Sequence, residues 1–319
     1  MSKVLVLGNG FDIALGLRSK YADFINTRRG TIRYAFWPFR DPPTGDFADC
    51  SLYCHFYNYF QSNKNDAGHI RWIDIEGELL KYVRSKVGKT NIEELAKEDE
   101  HSFNLLKMML QKYITVMPAN EPQSPDKNLL RLLTAIRNDG RFNKAYTFNY
   151  TNLEQELIQF GKFEPEKLPS VINVHRTPSD ENYLNIVLGI NEDVSVPKCY
   201  RYLFKSSQTE PSNLSQDMAN ADEIIFYGLS FGEIDFPYFK SFFKHIAYQS
   251  ILGTKKHITI FTFWKNSVES IQDSFYAMDV LIQELKEKSY FNIIDMENIW
   301  LPGYDETTFK GVISRLESK

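Results

Sequence analysis

Residues 4–12 read VLVLGNGFD, and the reading of this stretch decides the fold. Val4 to Leu7 have the length, apolar character and glycine punctuation of a parallel strand buried on both faces. From Asp12 onward Ile13, Leu17, Tyr21, Phe24 and Ile25 recur at helical spacing, which predicts a helix to about Thr27. A strand that runs through Gly8-Asn9-Gly10 into a helix is how many nucleotide-binding α/β proteins begin. It is not a dehydrogenase fingerprint. Ile13 stands where the third small residue belongs, and RYAFWPFRDPPTGDF (33–47) replaces the second strand and its acidic end. What remains is that Gly10 lets a phosphate approach backbone amides at a helix start. Asp12 beside a phosphate is repulsive and suits a helix cap or a ribose hydroxyl. A tight turn with a cap is the alternative reading of the same residues.

Beyond this opening, helical patterns dominate at about 51–60, 74–87, 99–117 and 126–138. Short strand patterns then appear at Ala145–Phe148, Val171–Val174, Asn185–Leu188, Glu223–Tyr227, Ile258–Phe263 and Phe291–Ile294. Between and after them lie helical stretches near 151–160, 235–248, 267–288 and 305–317. The alternation predicts an α/β, Rossmann-like fold: a mainly parallel sheet with helices on both faces and a large helical insertion. The expected division is a nucleotide-binding core of residues 1–29 plus 141–319 and a mostly helical insertion of residues 30–140.

Bulk properties narrow the function. Hydrophobic residues are 43% and charged residues 24%, ordinary for a water-soluble globular chain. With 24 Phe and 18 Tyr, aromatic rings are expected to fill much of the core. A formal charge of −4 argues against broad nucleic-acid binding. No apolar run is long enough to span a membrane and the start lacks a signal-peptide pattern, so no membrane partner is expected and the protein reads as cytoplasmic. Cys50, Cys54 and Cys199 form neither a disulfide framework nor a paired zinc motif, so no metal is expected. Asp74, Glu76 and Glu78, in IRWIDIEGEL, read mainly as a solvated helix face.

In open parallel sheets ligands bind beyond the carboxyl ends of the strands. The segments expected there are GNGFD, FNYTN, VHRTP, LGIN and GLSFGEID, four of the five rich in small or polar residues. Asn149 can donate and accept at once, suiting a sugar hydroxyl or an attacking water, with Thr151 as the expected cap of the next helix. His175 has the chemistry of a base near neutral pH, and Arg176 that of a phosphate clamp. Gly228, Ser230 and Gly232 open a second strand-to-helix turn, with Asp235 as its expected N-cap. Each residue also has a structural reading as loop, cap or ion pair.

Taken together, LVLGNGFD (5–12), W-x-D-I-E (72–76), TFNYTN (147–152), a strand ending in His175, LGI (188–190) and YGLSFGEIDFPYF (227–239) resemble the phage abortive-infection AbiH family. That family is in turn similar to sirtuin-like NAD-hydrolysing domains with a Rossmann-like core. The resemblance implies NAD as ligand or substrate, with Gly8, Asn9, Gly10 and Asp12 at the nucleotide. It implies Asn149 positioning ribose or water, His175 as base, and Gly228, Ser230 and Asp235 closing the site. This chain departs from the sirtuin-like pattern at Thr151 (usually Asp), Arg176 (usually Gly) and Leu229 (where His is favoured). It also lacks a zinc ribbon, which disfavours protein deacetylation. Two functions follow as expectations: hydrolysis of the nicotinamide–ribose bond, or nucleotide sensing without turnover. A phage or host protein is the class of trigger implied, and homo-oligomerisation is compatible with either.

Overall fold

The apolar run that opens the chain is a strand in the computed structural model, Lys3–Leu7, buried along its whole length. The structure describes residues 2–26, 51–63, 75–116, 124–175, 186–190, 194–207, 213–232, 235, 237–248, 255–263, 267–297, 299 and 306–318. In chain order the elements are β1 (Lys3–Leu7), α1 (Asn9–Ala14), α2 (Tyr21–Asn26), α3 (Ser51–Asn63), α4 (Ile75–Arg84), α5 (Ile92–Val116), α6 (Lys127–Asp139), β2 (Phe142–Thr147), α7 (Leu153–Gln159), β3 (Ser170–Asn173), α8 (Leu214–Asn220), β4 (Glu223–Tyr227), α9 (Pro237–Tyr248), β5 (His257–Thr262), α10 (Ser267–Ala277), α11 (Ile282–Lys288), β6 (Tyr290–Asp295) and α12 (Glu306–Glu317). They fall into two compact units: Met1–Gly16, Gln123–Val174 and Pro211–Lys319 in one, Leu17–Pro122 and His175–Glu210 in the other. Residues 123–140 therefore belong with the sheet, and residues 17–29 and 175–210 with the helices.

The first unit is built on one six-stranded sheet in the order β3-β2-β1-β4-β5-β6, and every neighbouring pair is parallel. This is the doubly wound α/β arrangement, Rossmann-like in topology. Alternation along the strands sends Val4, Val6, Tyr146, Ile224, Phe226, Ile258 and Ile260 to one face, where they pack with α8, α9, α10 and α11. Aromatic rings fill this layer, with Phe226, Phe231, Phe239, Phe243 and Phe275 in mutual ring contact. On the other face α6 packs with α12, and Phe309 of α12 meets Phe261 of β5 edge-on at 6.1 Å.

The second unit is helical. In it α2 and α5 both pack on α3, and a 3-10 helix, Lys198–Leu203, packs on α5. The buried Asp99 carboxylate accepts from the Tyr82 and Tyr200 hydroxyls at 2.6 Å each and so ties α4, α5 and this segment together.

Several elements differ from the sequence reading. The helix expected from Asp12 to Thr27 is two short helices, because Gly16 turns left-handed (φ 83°) and ends the first. The single helix expected over 267–288 breaks the same way at Asp279 (φ 56°). Ile186–Leu188 is buried and apolar but joins no strand; residue 185 lies outside the described residues. Its main chain pairs instead within the second unit, Val187 N–H donating to the His175 carbonyl at 3.2 Å. Glu78 is buried, not solvated, and pairs with Lys81.

At the amino edge of the sheet Lys3 is buried between Asp139 and Glu223, 2.6 Å from each, and Arg141 and Arg315 serve the outer sides of those carboxylates at 2.7 Å. Burial disfavours the Asp139 charge, yet hydrogen bonds from Arg141 and Lys3 outweigh it and hold the carboxyl below its ordinary range. Because the folded value is depressed, this contribution is present at neutral pH and lost as pH falls below about 4. Lys3→Met is expected to cost about 3 kcal/mol in urea unfolding at pH 7, the low end for a broken buried pair because both arginines remain. The deficit should shrink when the same unfolding is measured near pH 3.

Candidate functional site

Strand order reverses between β1 and β4, so the carboxyl ends of these two strands are where a ligand of this sheet type is looked for. Here the two turns pack backbone on backbone. Gly8 N–H donates to the Tyr227 carbonyl at 2.9 Å, and Gly10 N–H to the Gly228 carbonyl at 3.0 Å. A Cβ on Gly10 would sit 2.6 Å from Gly228 Cα. Gly228 is left-handed (φ 70°), and a Cβ there would lie 2.4 Å from Phe11 N. Gly8, Gly10 and Gly228 are therefore required by each other, and the Gly10 amide is already bonded.

The polar centre forms between the β1 and β2 ends. Asp12, in the first turn of α1, is 1% exposed. It caps nothing, since Gly8 holds the N-cap position. Its Oδ1 accepts from Asn149 Nδ2 at 2.5 Å and its Oδ2 from the Thr151 hydroxyl at 2.9 Å. Asn149 Nδ2 also donates to the Gly8 carbonyl at 3.1 Å, and its backbone N–H donates to Thr147 Oγ1 at 3.1 Å. Two acceptors face the same nitrogen, which assigns the amide orientation. Asn149 Oδ1 is then a buried acceptor with no hydrogen-bond partner among the described residues. Thr151 is not the cap of α7; Asn152 is, its side chain accepting from Gln155 N–H at 3.3 Å.

Glu156 of α7 completes the cluster and is 6% exposed. Burial, then the charge of Glu156, pushes the Asp12 carboxyl well above its usual range, against the hydrogen bonds from Thr151 and Asn149. Burial likewise pushes Glu156 up to about 7, against a hydrogen bond with Thr151. Such a carboxyl pair can store and deliver a proton near neutral pH. The sequence did carry a sign of Glu156: it interrupts the apolar stripe of a short helix between Leu153 and Leu157.

The remaining predicted residues distribute as follows. Asn9 opens α1 and is half-buried. Ser230 is exposed and lies 3.4 Å from Asp235 Oδ2. Asp235 stands two residues ahead of α9, which begins at Pro237. His175 is buried and is the first residue of the second unit's return segment. Arg176 lies outside the described residues. Among the described residues no group of three or more His, Cys, Asp or Glu side chains could hold a metal, and no helix is long and apolar enough to cross a membrane.

A doubly wound parallel sheet with an Asp-Asn-Thr-Glu cluster at its carboxyl edge defines a Rossmann-like α/β protein. Residues 4–255 match the family model for bacteriophage abortive infection AbiH, a span holding β1 to β4 and every residue of the cluster. The chain belongs to that family and is an abortive-infection protein. A comparison with curated proteins finds no match.

Gly10→Ala is expected to destabilise by about 1–3 kcal/mol through overpacking. Gly232→Ala, whose Cβ would meet only Ser230 Oγ at 3.7 Å, should change the denaturation midpoint little. For Glu156 the folded value is raised, so its stabilisation is complete below the unfolded value near 4.3 and is lost as pH rises through about 7. Stability should therefore fall from pH 5 to pH 8 by an amount on the order of 3 kcal/mol that Glu156→Gln removes.

Proposed function

We propose that this abortive-infection protein binds NAD at the carboxyl ends of β1, β2 and β4 and hydrolyses its nicotinamide–ribose bond. The observation that carries the reading is Asn149, a buried amide fixed by two donated hydrogen bonds, with Oδ1 an acceptor still without a donor among the described residues. A ribose hydroxyl supplies that donor. The doubly wound sheet supports a nucleotide ligand, and the motif resemblance to sirtuin-like NAD-hydrolysing domains is what points to NAD in particular. Nicotinamide leaves as a neutral pyridine and needs no general acid. Water adds to the ribose carbon and gives ADP-ribose and one proton. The protein's part is to orient the ribose, stabilise developing positive charge and accept that proton, the last role assigned to His175 by the resemblance.

A second reading, a nucleotide sensor without turnover, is favoured by Arg176 and Leu229, which stand where the sirtuin-like pattern has Gly and His. Product analysis separates the two. NAD incubated with the protein, alone and with extract of phage-infected cells as trigger, is expected to yield nicotinamide and ADP-ribose. Asn149→Ala should lower turnover about 10²-fold and His175→Ala about 10²–10⁴-fold. NAD that binds by calorimetry yet stays intact supports the sensor, and NAD that does neither contradicts both.

A further inference from the structure

We propose that Asp12 is a positioning residue: it takes one hydrogen of the Asn149 amide, so that this side chain meets a ligand with its oxygen alone and selects a free ribose hydroxyl. The ribose rests on the NAD reading; the fixed amide rests on the hydrogen bonds themselves.

The Asn149 side chain carries two N–H hydrogens and one carbonyl oxygen. Nδ2 lies 3.1 Å from the Gly8 carbonyl and 2.5 Å from Asp12 Oδ1, so one hydrogen goes to each. The backbone N–H of the same residue is given to Thr147 Oγ1 at 3.1 Å. Asp12 is held in turn, since the Thr151 hydroxyl donates to its Oδ2 at 2.9 Å and α1 carries its backbone. Gly8, Asp12, Asn149 and Thr151 all lie in one compact unit. Asp12 and Asn149 are 1% and 4% exposed, so water does not compete for these bonds. Turning the amide over would set Oδ1 against two oxygens, the Gly8 carbonyl and Asp12 Oδ1. It would also put Nδ2 where Oδ1 now stands, with no partner among the described residues. Of the two acceptors that fix the orientation, Asp12 is the one that a substitution can remove.

The consequence is chemical selectivity. With both hydrogens engaged, Asn149 has only the acceptor Oδ1 left for a ligand. A hydroxyl satisfies it. A methylene in the same place leaves the buried carbonyl unpaired, and an ether or ester oxygen sets acceptor against acceptor. Without Asp12 one N–H is unclaimed, and the amide can present a donor or an acceptor. Asp12 thus acts through Asn149: both of its carboxyl oxygens are engaged inside the protein.

The test has a ligand-free arm and a ligand arm, both on the full chain. In the first, nuclear magnetic resonance follows exchange of the Asn149 side-chain hydrogens with water, the signals being assigned by their loss in Asn149→Ala. Exchange is expected to be about tenfold or more faster in Asp12→Ala than in the wild type. It should stay at the wild-type rate in Asp12→Asn, whose oxygen still accepts from Asn149 and whose amide donates to Thr151. Thr151→Val keeps the volume and releases Asp12 Oδ2; it should speed exchange too, and serves if Asp12→Ala does not fold. In the second arm, calorimetry compares ADP-ribose with forms lacking one or the other hydroxyl of its terminal ribose. Wild type and Asp12→Asn should prefer ADP-ribose to one of these by about tenfold, and Asp12→Ala should lose most of that preference. A merely structural role would weaken all three ligands alike and keep their ratio. Equal exchange in wild type and Asp12→Ala overturns the proposal. So does a wild type that binds all three ligands equally, or a preference that survives in Asp12→Ala. If ADP-ribose does not bind while exchange behaves as expected, the NAD reading falls and Asp12 stands as the residue that fixes Asn149. If NAD is cleaved while Asp12→Ala leaves exchange unchanged, the proposal falls and the NAD reading stands.

Discussion

The carboxyl edge of the sheet is organised around one group, the Asp12 carboxyl, which has almost no exposure to water and must be satisfied by protein. Asn149 and Thr151 do this, and in doing so they join the turn after β1 to the turn after β2. GNGFD and FNYTN are thus halves of one hydrogen-bonded unit. Their residue types follow from that: an acid on one side, an amide and a hydroxyl on the other. Asn149 serves this unit with its nitrogen, while its oxygen is buried without a hydrogen-bond donor among the described residues.

A second constraint acts at the point where strand order reverses. In a dinucleotide-binding sheet of this topology the glycine-rich turn leaves room and free amides for a pyrophosphate. Here Gly8 and Gly10 make room for Gly228, and the Gly10 amide is bonded to that residue's carbonyl. The same glycine spacing therefore produces close turn packing instead of an open cradle. This explains why the opening looks like a nucleotide fingerprint and yet lacks its third glycine and its distant acid. The buried polar residues Asn149, Thr151 and Glu156 lie instead toward β2.

Most of the sheet was legible because β1, β4 and β5 are short β-rich runs closed by Gly, polar or aromatic punctuation, and Glu223–Tyr227 matches its predicted bounds. The failures have a common physical form. Gly16 and Asp279 adopt left-handed backbone inside apolar stripes that continue across them, so periodicity alone ran two helices together. Ile186–Leu188 is apolar through burial in the helical unit, and short apolar runs do not distinguish that from a strand. At the site, sequence reasoning found Asp12, Asn149 and Thr151 but gave each a local role as cap or ligand contact. Their mutual bonding spans 137 and 139 residues of chain, and no spacing rule reaches that far. Glu156 was overlooked because a lone acid on a short helix is ordinarily solvated.

The account depends on Asp12 and Asn149 acting as a unit, and a double-mutant cycle measures that directly. Asp12→Ala, Asn149→Ala and the double variant are compared with the wild type by urea unfolding. Residues sharing a buried hydrogen-bond network show interaction energies of about 0.5–3 kcal/mol, and a value of about 1 kcal/mol or more is predicted here. Effects that add to within about 0.3 kcal/mol would contradict the central claim, because the two stretches would then be independent turns.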